Sequence, residues 1–568
     1  MRGVTDGPLL VFGPRSTTYD FGPNHPLTPR RFGPGIDLLR TLGAEPGLVP
    51  EPADDRELLE VHAERYIAAV RRLSADPNGR PEAGFAAYGD DPPFVGMAEA
   101  AAAVAGGSLR AMAAILGGDI EHAFHPGGGL HHAMADRASG FCIYNDPALA
   151  IAAARRAGKR VLYVDLDVHH GDGVQALHYE DPGVLTISIH ESGRTLFPGT
   201  GSVAELGDGA AAGSAVNLPL EAETGEAAWL AGVRGLVPQL AAYFGPDLIV
   251  SQHGADSHAW DPLAHLRVTT TAMGEAARLV DSVAHRHAGG RWLATGGGGY
   301  DVYRVVPRTW ALTWLAGAHR AAPELTDPGW RSRWAADALR YDQSPPPERF
   351  QDQPNAGLPD SDYQRLAETR ALETLAEVRS TVLPRLLIVA EERGWWDPSG
   401  ATSPHDHLVP GAVEARPTII PNLDAGLLDR LALAPRTLPP ADPEAARQLL
   451  VAALRGGARA SGAVAGDQLV GVALAAPTGS QGSPTEVLWI GVAAGHRRRG
   501  LGTTLVAALV GGPDAGAPRT RYATRLGVAE RDVVEPLPFD DRLAIAARIL
   551  ARSGFRADPR DGRSWLRD

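Results

Sequence analysis

The sequence predicts an α/β fold, a parallel sheet covered by helices, followed by a smaller α+β domain. Three observations predict it. Short, uninterrupted apolar runs recur through the first 320 residues, with helical stretches between them, as expected of strands buried on both faces of a parallel sheet. Each run ends in polar or charged residues, and α/β sheets bind ligands at the carboxyl ends of their strands. Beyond residue 412 the pattern changes to hairpins and a glycine-bearing basic loop.

The elements follow in order. Residues 97–116 are alanine-rich and apolar at helical spacing, and residues 147–158 form a second helix with Asp146 as its N-cap. Strands are expected over 161–167, 184–190, 247–253 and 291–295, the last running into four glycines. Residues 303–390 read as helices broken by a Pro/Gln/Asp-rich loop at 342–360. This defines a first domain over 1–390, a linker over 391–412 and a second domain over 413–568. In the second domain a helix at 443–454 precedes two strands, 460–464 and 469–475, which turn at Ala465-Gly-Asp-Gln468. A further strand covers 485–493.

Composition narrows the function classes. One cysteine in 568 residues excludes an intramolecular disulfide framework and a cysteine-rich zinc finger. No uninterrupted run of about 18 apolar residues and no signal-peptide pattern stand out, so a cytoplasmic protein without a membrane partner is expected. A net charge of −13 argues against nucleic acid as a partner. Lys159 is the single lysine among 54 basic residues, which we read as base composition of the genome.

Histidines point to chemistry. Eleven of the 19 lie between His122 and His265, more than twice their even share. The densest segment is Asp165-Leu-Asp167-Val-His169-His170-Gly-Asp172-Gly173. Asp167 and His169 are two apart, so on extended backbone they point the same way. Oxygen with imidazole nitrogen suits Zn²⁺ or Fe²⁺. Asp256, just past another strand, is the candidate third ligand; three protein ligands leave coordination open, as at a catalytic metal. His131 and His132 follow a glycine run, and Asp165 and Asp172 are available to orient them. Tyr300, after Gly296-Gly-Gly-Gly299, is a candidate oxyanion donor.

Six segments in one order carry a resemblance: Gly128-Gly-Leu-His-His-Ala133, Gly140-Phe-Cys-Ile-Tyr-Asn-Asp146, residues 165–173, residues 188–201, Gly254-Ala-Asp256 and Gly296-Gly-Gly-Gly-Tyr300. Together they resemble the histone deacetylase superfamily of the arginase/deacetylase fold, in particular its acetoin-utilisation, AcuC-type branch, over about residues 8–390. The resemblance implies that Asp167, His169 and Asp256 are the metal ligands. It implies that His131 and His132 are the catalytic pair, with Asp165 and Asp172 as their carboxylates, and that Tyr300 polarises an acetyl carbonyl. It assigns Gly140, Phe141 and Phe197 to the walls of an acyl-lysine tunnel and Asp91 to its rim. It also implies a monovalent cation, K⁺ or Na⁺, at Asp165, Asp167, His169 and Ser188. Cys142 then falls on the tunnel side as a packed residue. Leu196 stands where many relatives have an aromatic. His253, Ser257, His258 and Trp260 suggest a different rim, with His258 and His265 near an entrance.

In the second domain, Arg497-Arg-Arg499-Gly500-Leu-Gly502 between a strand and an apolar helix resembles the acetyl-CoA loop of GNAT-family acetyltransferases. Successive N–H groups and a helix N-terminus suit a pyrophosphate, so Arg497, Arg499, Gly500 and Gly502 are the expected acetyl-CoA contacts. Glu486 is the candidate base. The leading expectation is a deacetylase acting on acetylated protein lysines, fused to an acetyl-CoA-binding domain. The alternatives are a small-molecule amidohydrolase such as an acetylpolyamine deacetylase, and a C-terminal domain that only senses acetyl-CoA. An arginase-type ureohydrolase needs two metals and is disfavoured by the Tyr300 loop.

Overall fold

In a computed structural model the chain forms two compact units, Met1–Ala390 and Glu391–Asp568. The structure describes residues 7–353, 361–395, 418–420, 423–424, 432–433, 443–455, 458, 459–465, 468–475, 485–492, 522–525, 556–558 and 561–567.

The first unit is built on eight parallel strands: β1 (Leu9–Val11), β2 (Pro46–Leu48), β3 (His122–His125), β4 (Val161–Asp165), β5 (Val184–Glu191), β6 (Ala215–Leu220), β7 (Leu248–Gln252) and β8 (Trp292–Thr295). Their order is β2-β1-β3-β8-β7-β4-β5-β6. The four strands expected from sequence are β8, β7, β4 and β5, and they lie side by side in the sheet. The other four give weak signals for physical reasons. The strand β1 has only three residues, and β3 reads His-Ala-Phe-His. The edge strands β2 and β6 contain Pro46 and Pro219, and an edge strand is where a missing N–H is tolerated.

The helices are α1 (Phe32–Thr41), α2 (Asp55–Leu58), α3 (Glu64–Ala75), α4 (Met97–Gly117), α5 (Asp146–Arg156), α6 (Asp172–Leu177), α7 (Glu226–Phe244), α8 (Thr270–His287), α9 (Val306–Gly317), α10 (Pro328–Arg340) and α11 (Asp362–Glu392). By length and composition α4 could cross a membrane, despite Glu99 and Arg110. Most of it is buried inside this unit, where Ala101, Ala105 and Leu109 join Tyr66, Tyr144 and Ile143 in one core cluster. A second cluster packs Met112 and Ile115 of α4 and Ile151 of α5 on Tyr163, Val250 and Leu293 of the sheet.

The start of α5 corrects an expectation. Its N-cap is Asn145, whose side chain accepts the Ala148 N–H at 3.0 Å. The Asp146 carboxylate turns the other way and accepts N–H bonds from Gly129 and Leu130 and the Ser108 hydroxyl at 2.5–3.1 Å. It ties down the glycine run in front of His131 rather than capping the helix.

The second unit contains β9 (Thr418–Ile420), β10 (Ala432–Leu433), α12 (Pro443–Arg455), β11 (Arg459–Ala465), β12 (Gln468–Ala475), β13 (Thr485–Val492), β14 (Tyr522–Arg525), β15 (Arg556–Asp558) and β16 (Asp561–Arg567). The expected hairpin is β11–β12, antiparallel from Arg459↔Ala475 to Ala465↔Gln468. Strand β13 pairs with β12 antiparallel and with β14 in parallel, the latter over Thr485↔Tyr522 and Glu486↔Ala523. Arg497, Arg499, Gly500 and Gly502 lie outside the described residues, as does most of the expected linker.

Candidate active site and metal centre

The carboxyl ends of β4, β7 and β8 face a common space. The chain leaves β4 at Asp165, and Asp167 and His169 follow side by side. Asp256 arrives from the loop after β7. Three atoms converge: His169 Nδ1 lies 3.0 Å from Asp167 Oδ1 and 3.2 Å from Asp256 Oδ2. All three residues are buried.

The remaining oxygens are held by groups from elsewhere in the chain. Asp167 Oδ2 accepts from Gln252 Nε2 at 2.6 Å and from the Gly298 N–H at 2.8 Å. Asp256 Oδ1 accepts the Val168 N–H at 3.0 Å. These fixed donors aim the other oxygen of each carboxylate at His169. A Cβ at Gly298 would stand 1.9 Å from Asp256 Oδ2, so any side chain there must push that carboxylate aside.

The electrostatics fit a cation. Burial and the neighbouring Asp167 charge push Asp256 up to about 6. Burial opposes a charged His169, but hydrogen bonds and charge from Asp167 and Asp256 outweigh it and lift the ring to about 10. Two carboxylates buried this close together favour a positive charge between them, the place that a bound cation would take. An oxygen–nitrogen–oxygen set with open sides suits a divalent ion as a catalytic rather than a closed structural site.

Beside this centre stand the two histidines, ring centroids 4.0 Å apart. His131 Nδ1 is 2.8 Å from Asp165 Oδ2, and His132 Nδ1 is 2.7 Å from Asp172 Oδ1. Each carboxylate accepts an Nδ1–H and so fixes the orientation of its ring. The two environments differ. Burial would lower His131, but Asp165 and Asp167 outweigh it and raise it to about 9; burial and the neighbouring His131 charge depress His132 to about 4. Asp165 also accepts the Tyr163 hydroxyl at 2.7 Å. Ser188 lies directly across from Asp165 in the β4–β5 register, its hydroxyl 2.9 Å from His190 Nδ1.

The structure brings the expected wall residues to the same place. Phe197 packs edge-on to His132 at 5.1 Å and is 41% exposed, and Phe141 packs edge-on to Tyr300 at 6.0 Å. Gly140 has φ +55°, and a Cβ there would lie 2.5 Å from the His132 ring and 2.8 Å from Phe197. Tyr300 is buried, its backbone N–H held by Asp261 at 2.9 Å; burial, followed by the Asp256 and Asp167 charges, raises its phenol well above the ordinary value, so it stays a donor. Cys142 is buried with its thiol pushed up by burial, which leaves it inert.

Asp91 is 2% exposed, and burial with the neighbouring Asp90 charge raises it to about 8 against the help of the Phe141 backbone amide. Its Oδ1 has no hydrogen-bond partner among the described residues. His258 does not line an entrance. It is buried and bonds Asp352 at 2.8 Å, in a hub that also contains Arg308 and Thr270. His253 is buried against Ser251 at 2.8 Å. His265 is half exposed and bonds Glu191 at the end of β5.

Sequence reading missed several supports. Tyr163 could have been found, since it lies two residues before Asp165 on one strand face. Gln252 ends β7, and nothing local to it in the sequence points to its bond with Asp167. Arg31, buried with its guanidinium on the Gly297 carbonyl at 2.7 Å, had no local signal.

Comparison with known proteins gives the family of each unit. Residues 25–316 match the histone deacetylase domain, and residues 430–528 match the acetyltransferase (GNAT) family. The acetoin utilization protein AcuC of Bacillus subtilis (strain 168) is 44% identical over 332 residues, covering 57% of this chain and 86% of that protein. The AcuC of Staphylococcus xylosus is 37% identical over 331 residues, with the same coverage. Among solved structures, a histone deacetylase homologue complexed with SAHA superposes with a TM-score of 0.57 at 28% identity, and a homologue from Aquifex aeolicus with 0.56 at 27%. Each comparison covers 66% of this chain and all of the other. Ordered motifs, converging donors and paired histidines meet in one parallel-sheet unit, and the chain belongs to the histone deacetylase family, in its AcuC-type branch, with a GNAT-family domain fused behind it.

Proposed function

We propose that the first unit hydrolyses Nε-acetyl-lysine in proteins, releasing acetate and the lysine amine, with Asp167, His169 and Asp256 holding Zn²⁺ or Fe²⁺. The observation that carries the reading is the convergence of those three donors beside two carboxylate-held histidines. A divalent ion bound there supplies Lewis-acid polarisation of the acetyl carbonyl and of water.

The chain's own groups do the rest. Gly140, Phe141 and Phe197 sheathe a narrow acyl chain and exclude bulk water. Tyr300 donates its hydroxyl proton in a hydrogen bond to the carbonyl oxygen as negative charge grows there. His132, with Nδ1–H fixed on Asp172, takes the proton of the attacking water at Nε2. As the C–N bond breaks, one of the two histidines returns a proton to the leaving amine. Asp91, with its unpaired oxygen next to Phe141, is the candidate grip on the substrate backbone. K⁺ or Na⁺ at Asp165, Asp167, His169 and Ser188 would steady the β4 end. Tyr300→Phe should lower deacetylase kcat about 10²-fold on an acetylated peptide; a folded, fully active variant overturns the assignment. Parallel turnover of acetylated peptides and acetylpolyamines separates protein from small-molecule substrates.

For the second unit we propose acetyl-CoA binding through Arg497, Arg499, Gly500 and Gly502. The support is the family match and the loop chemistry. Calorimetric titration of the full chain with acetyl-CoA tests it, and no heat of binding refutes it. Binding without acetyl transfer would mark the domain as a sensor.

A further inference from the structure

A second cluster of metal-ligating side chains lies at the other end of the sheet. His122 opens β3 at its amino end, away from the catalytic centre. Asp281 and His285 are one turn apart on α8. His319 follows the end of α9. Their ring nitrogens and one carboxylate oxygen converge on a single point. His285 Nε2 lies 3.1 Å from His122 Nε2 and 3.0 Å from His319 Nε2. Asp281 Oδ1 lies 3.2 Å from His122 Nε2, 3.5 Å from His285 Nε2 and 3.3 Å from His319 Nε2.

These separations have a geometric meaning. Four donors arranged tetrahedrally at about 2.0–2.1 Å from one ion stand about 3.3–3.4 Å from one another. Five of the six edges here measure 3.0–3.5 Å. Hydrogen bonding among the groups cannot account for all of them. A neutral imidazole Nε2 carries either one proton or one lone pair. Protons on His122 and His319 could serve both contacts to His285, but His285 Nε2 would then face Asp281 Oδ1 at 3.5 Å with a lone pair on each side. One cation at the centre satisfies every contact.

The surroundings suit such an ion. The His122 and Asp281 side chains are 6% and 11% exposed, whereas those of His285 and His319 are 39% and 56% exposed. The site therefore has a fixed floor and an open side for entry. At the mouth, His319 occupies a left-handed backbone position, φ +53°, just past a helix end. Glycine is the usual choice there, so a histidine is held in that conformation with its ring on the other three ligands.

We propose that His122, Asp281, His285 and His319 form a second, four-ligand divalent-metal site of the Zn²⁺ class, closed in coordination and structural in role. It ties the amino end of β3 to α8 and to the end of α9. Metal binding to ligands that only the fold assembles becomes folding free energy.

The test uses the full chain, stripped with chelator, re-equilibrated with Zn²⁺ and freed of excess. The variant His285→Ala/His319→Ala removes the two exposed ligands, so the buried core is untouched. It should retain one Zn²⁺ per chain fewer than the wild type and lose a Zn²⁺-dependent rise in Tm of a few degrees. Asp256→Asn reports on the catalytic centre instead and should keep that rise in Tm. In the Asp256→Asn background Co²⁺ should give tetrahedral visible bands, which the added double substitution abolishes. Equal zinc content and an equal Tm response in wild type and His285→Ala/His319→Ala overturn the proposal and leave a proton-sharing network about Asp281. Failure of the deacetylase reading would leave these outcomes unchanged.

Discussion

Gly298→Ala is a one-carbon probe of the metal centre. Gly298 is not in the left-handed region, so alanine is allowed by the backbone and the effect is steric. The new Cβ would stand 1.9 Å from Asp256 Oδ2 and 3.0 Å from Asp167 Oδ2. Asp256 Oδ2 must retreat by about an ångström to reach even the shortest contact real Cβ atoms make. Metal–carboxylate bonds are only about 2.0–2.2 Å long, so this shift removes the ligand or breaks its geometry. The carboxylate cannot simply rotate, because Asp256 Oδ1 is pinned by the Val168 N–H. Loss of a supporting contact at a metal costs about 10–100-fold in affinity or activity, and displacing the ligand itself should cost at least that. The expected packing strain is about 1–3 kcal/mol. The assay is deacetylation of an acetylated peptide against free Zn²⁺ in the chelator-stripped chain, with circular dichroism to confirm folding. Activation reports the catalytic centre alone, whatever zinc is held elsewhere. Wild-type zinc activation and turnover in a folded Gly298→Ala would refute the argument that these two carboxylates aim at one ion.

Three further outcomes follow from the same geometry. Asp172→Asn keeps the shape but can present an amide N–H to His132 Nδ1, favouring the wrong tautomer; kcat should fall about 10²-fold or more with folding intact, and an unchanged kcat would remove His132 as base. Gly140→Ala adds about 1–2 kcal/mol of backbone strain at a positive φ and drives a methyl into the His132 ring and Phe197; KM should rise and kcat fall in steady-state kinetics. Asp352→Asn breaks the buried hub with Arg308, His258 and Thr270 and should cost about 3–5 kcal/mol by thermal melts. Burial would raise Asp352, but His258 and Arg308 outweigh it and hold the carboxyl well below its ordinary value. Its contribution is therefore present above a pH of about 4 and is lost as pH falls below that; Tm of the wild type should drop more steeply than that of Asp352→Asn between about pH 5 and pH 2.

The site was legible where its members share one stretch of backbone. Asp167 and His169 announce themselves by the period of an extended chain, and Asp165 and Asp172 lie within the same eight residues. What stays silent is the set of groups that make those side chains point correctly. Gln252 and Gly298 meet Asp167 across 85 and 131 residues, and Arg31 meets Gly297 across 266. A glutamine at a strand end and a glycine in a glycine run have many uses, and only the register of β4, β7 and β8 selects this one. Asp146 shows the reverse error. Its position before Pro147 reads as a helix cap, yet Asn145 beside it is equally able to cap, and the unmet N–H groups of the Gly129 turn decide between them.

The histidine excess illustrates the same rule at larger scale. The excess between His122 and His265 comes largely from one loop and one pair. It does not reveal His122, His285 and His319 as a group, because 163 residues separate the first two and 34 the last two. His122 is near the catalytic histidines in sequence, yet it sits at the amino end of a strand whose carboxyl end leads to His131. In a parallel sheet every strand has two ends, and ligands gather by rule at one of them. A histidine at the other end is worth separate attention, since the usual rule gives it no reason to be there. Strand polarity, once the sheet is known, thus divides one apparent enrichment into two centres, and the second is defined by what the first cannot use.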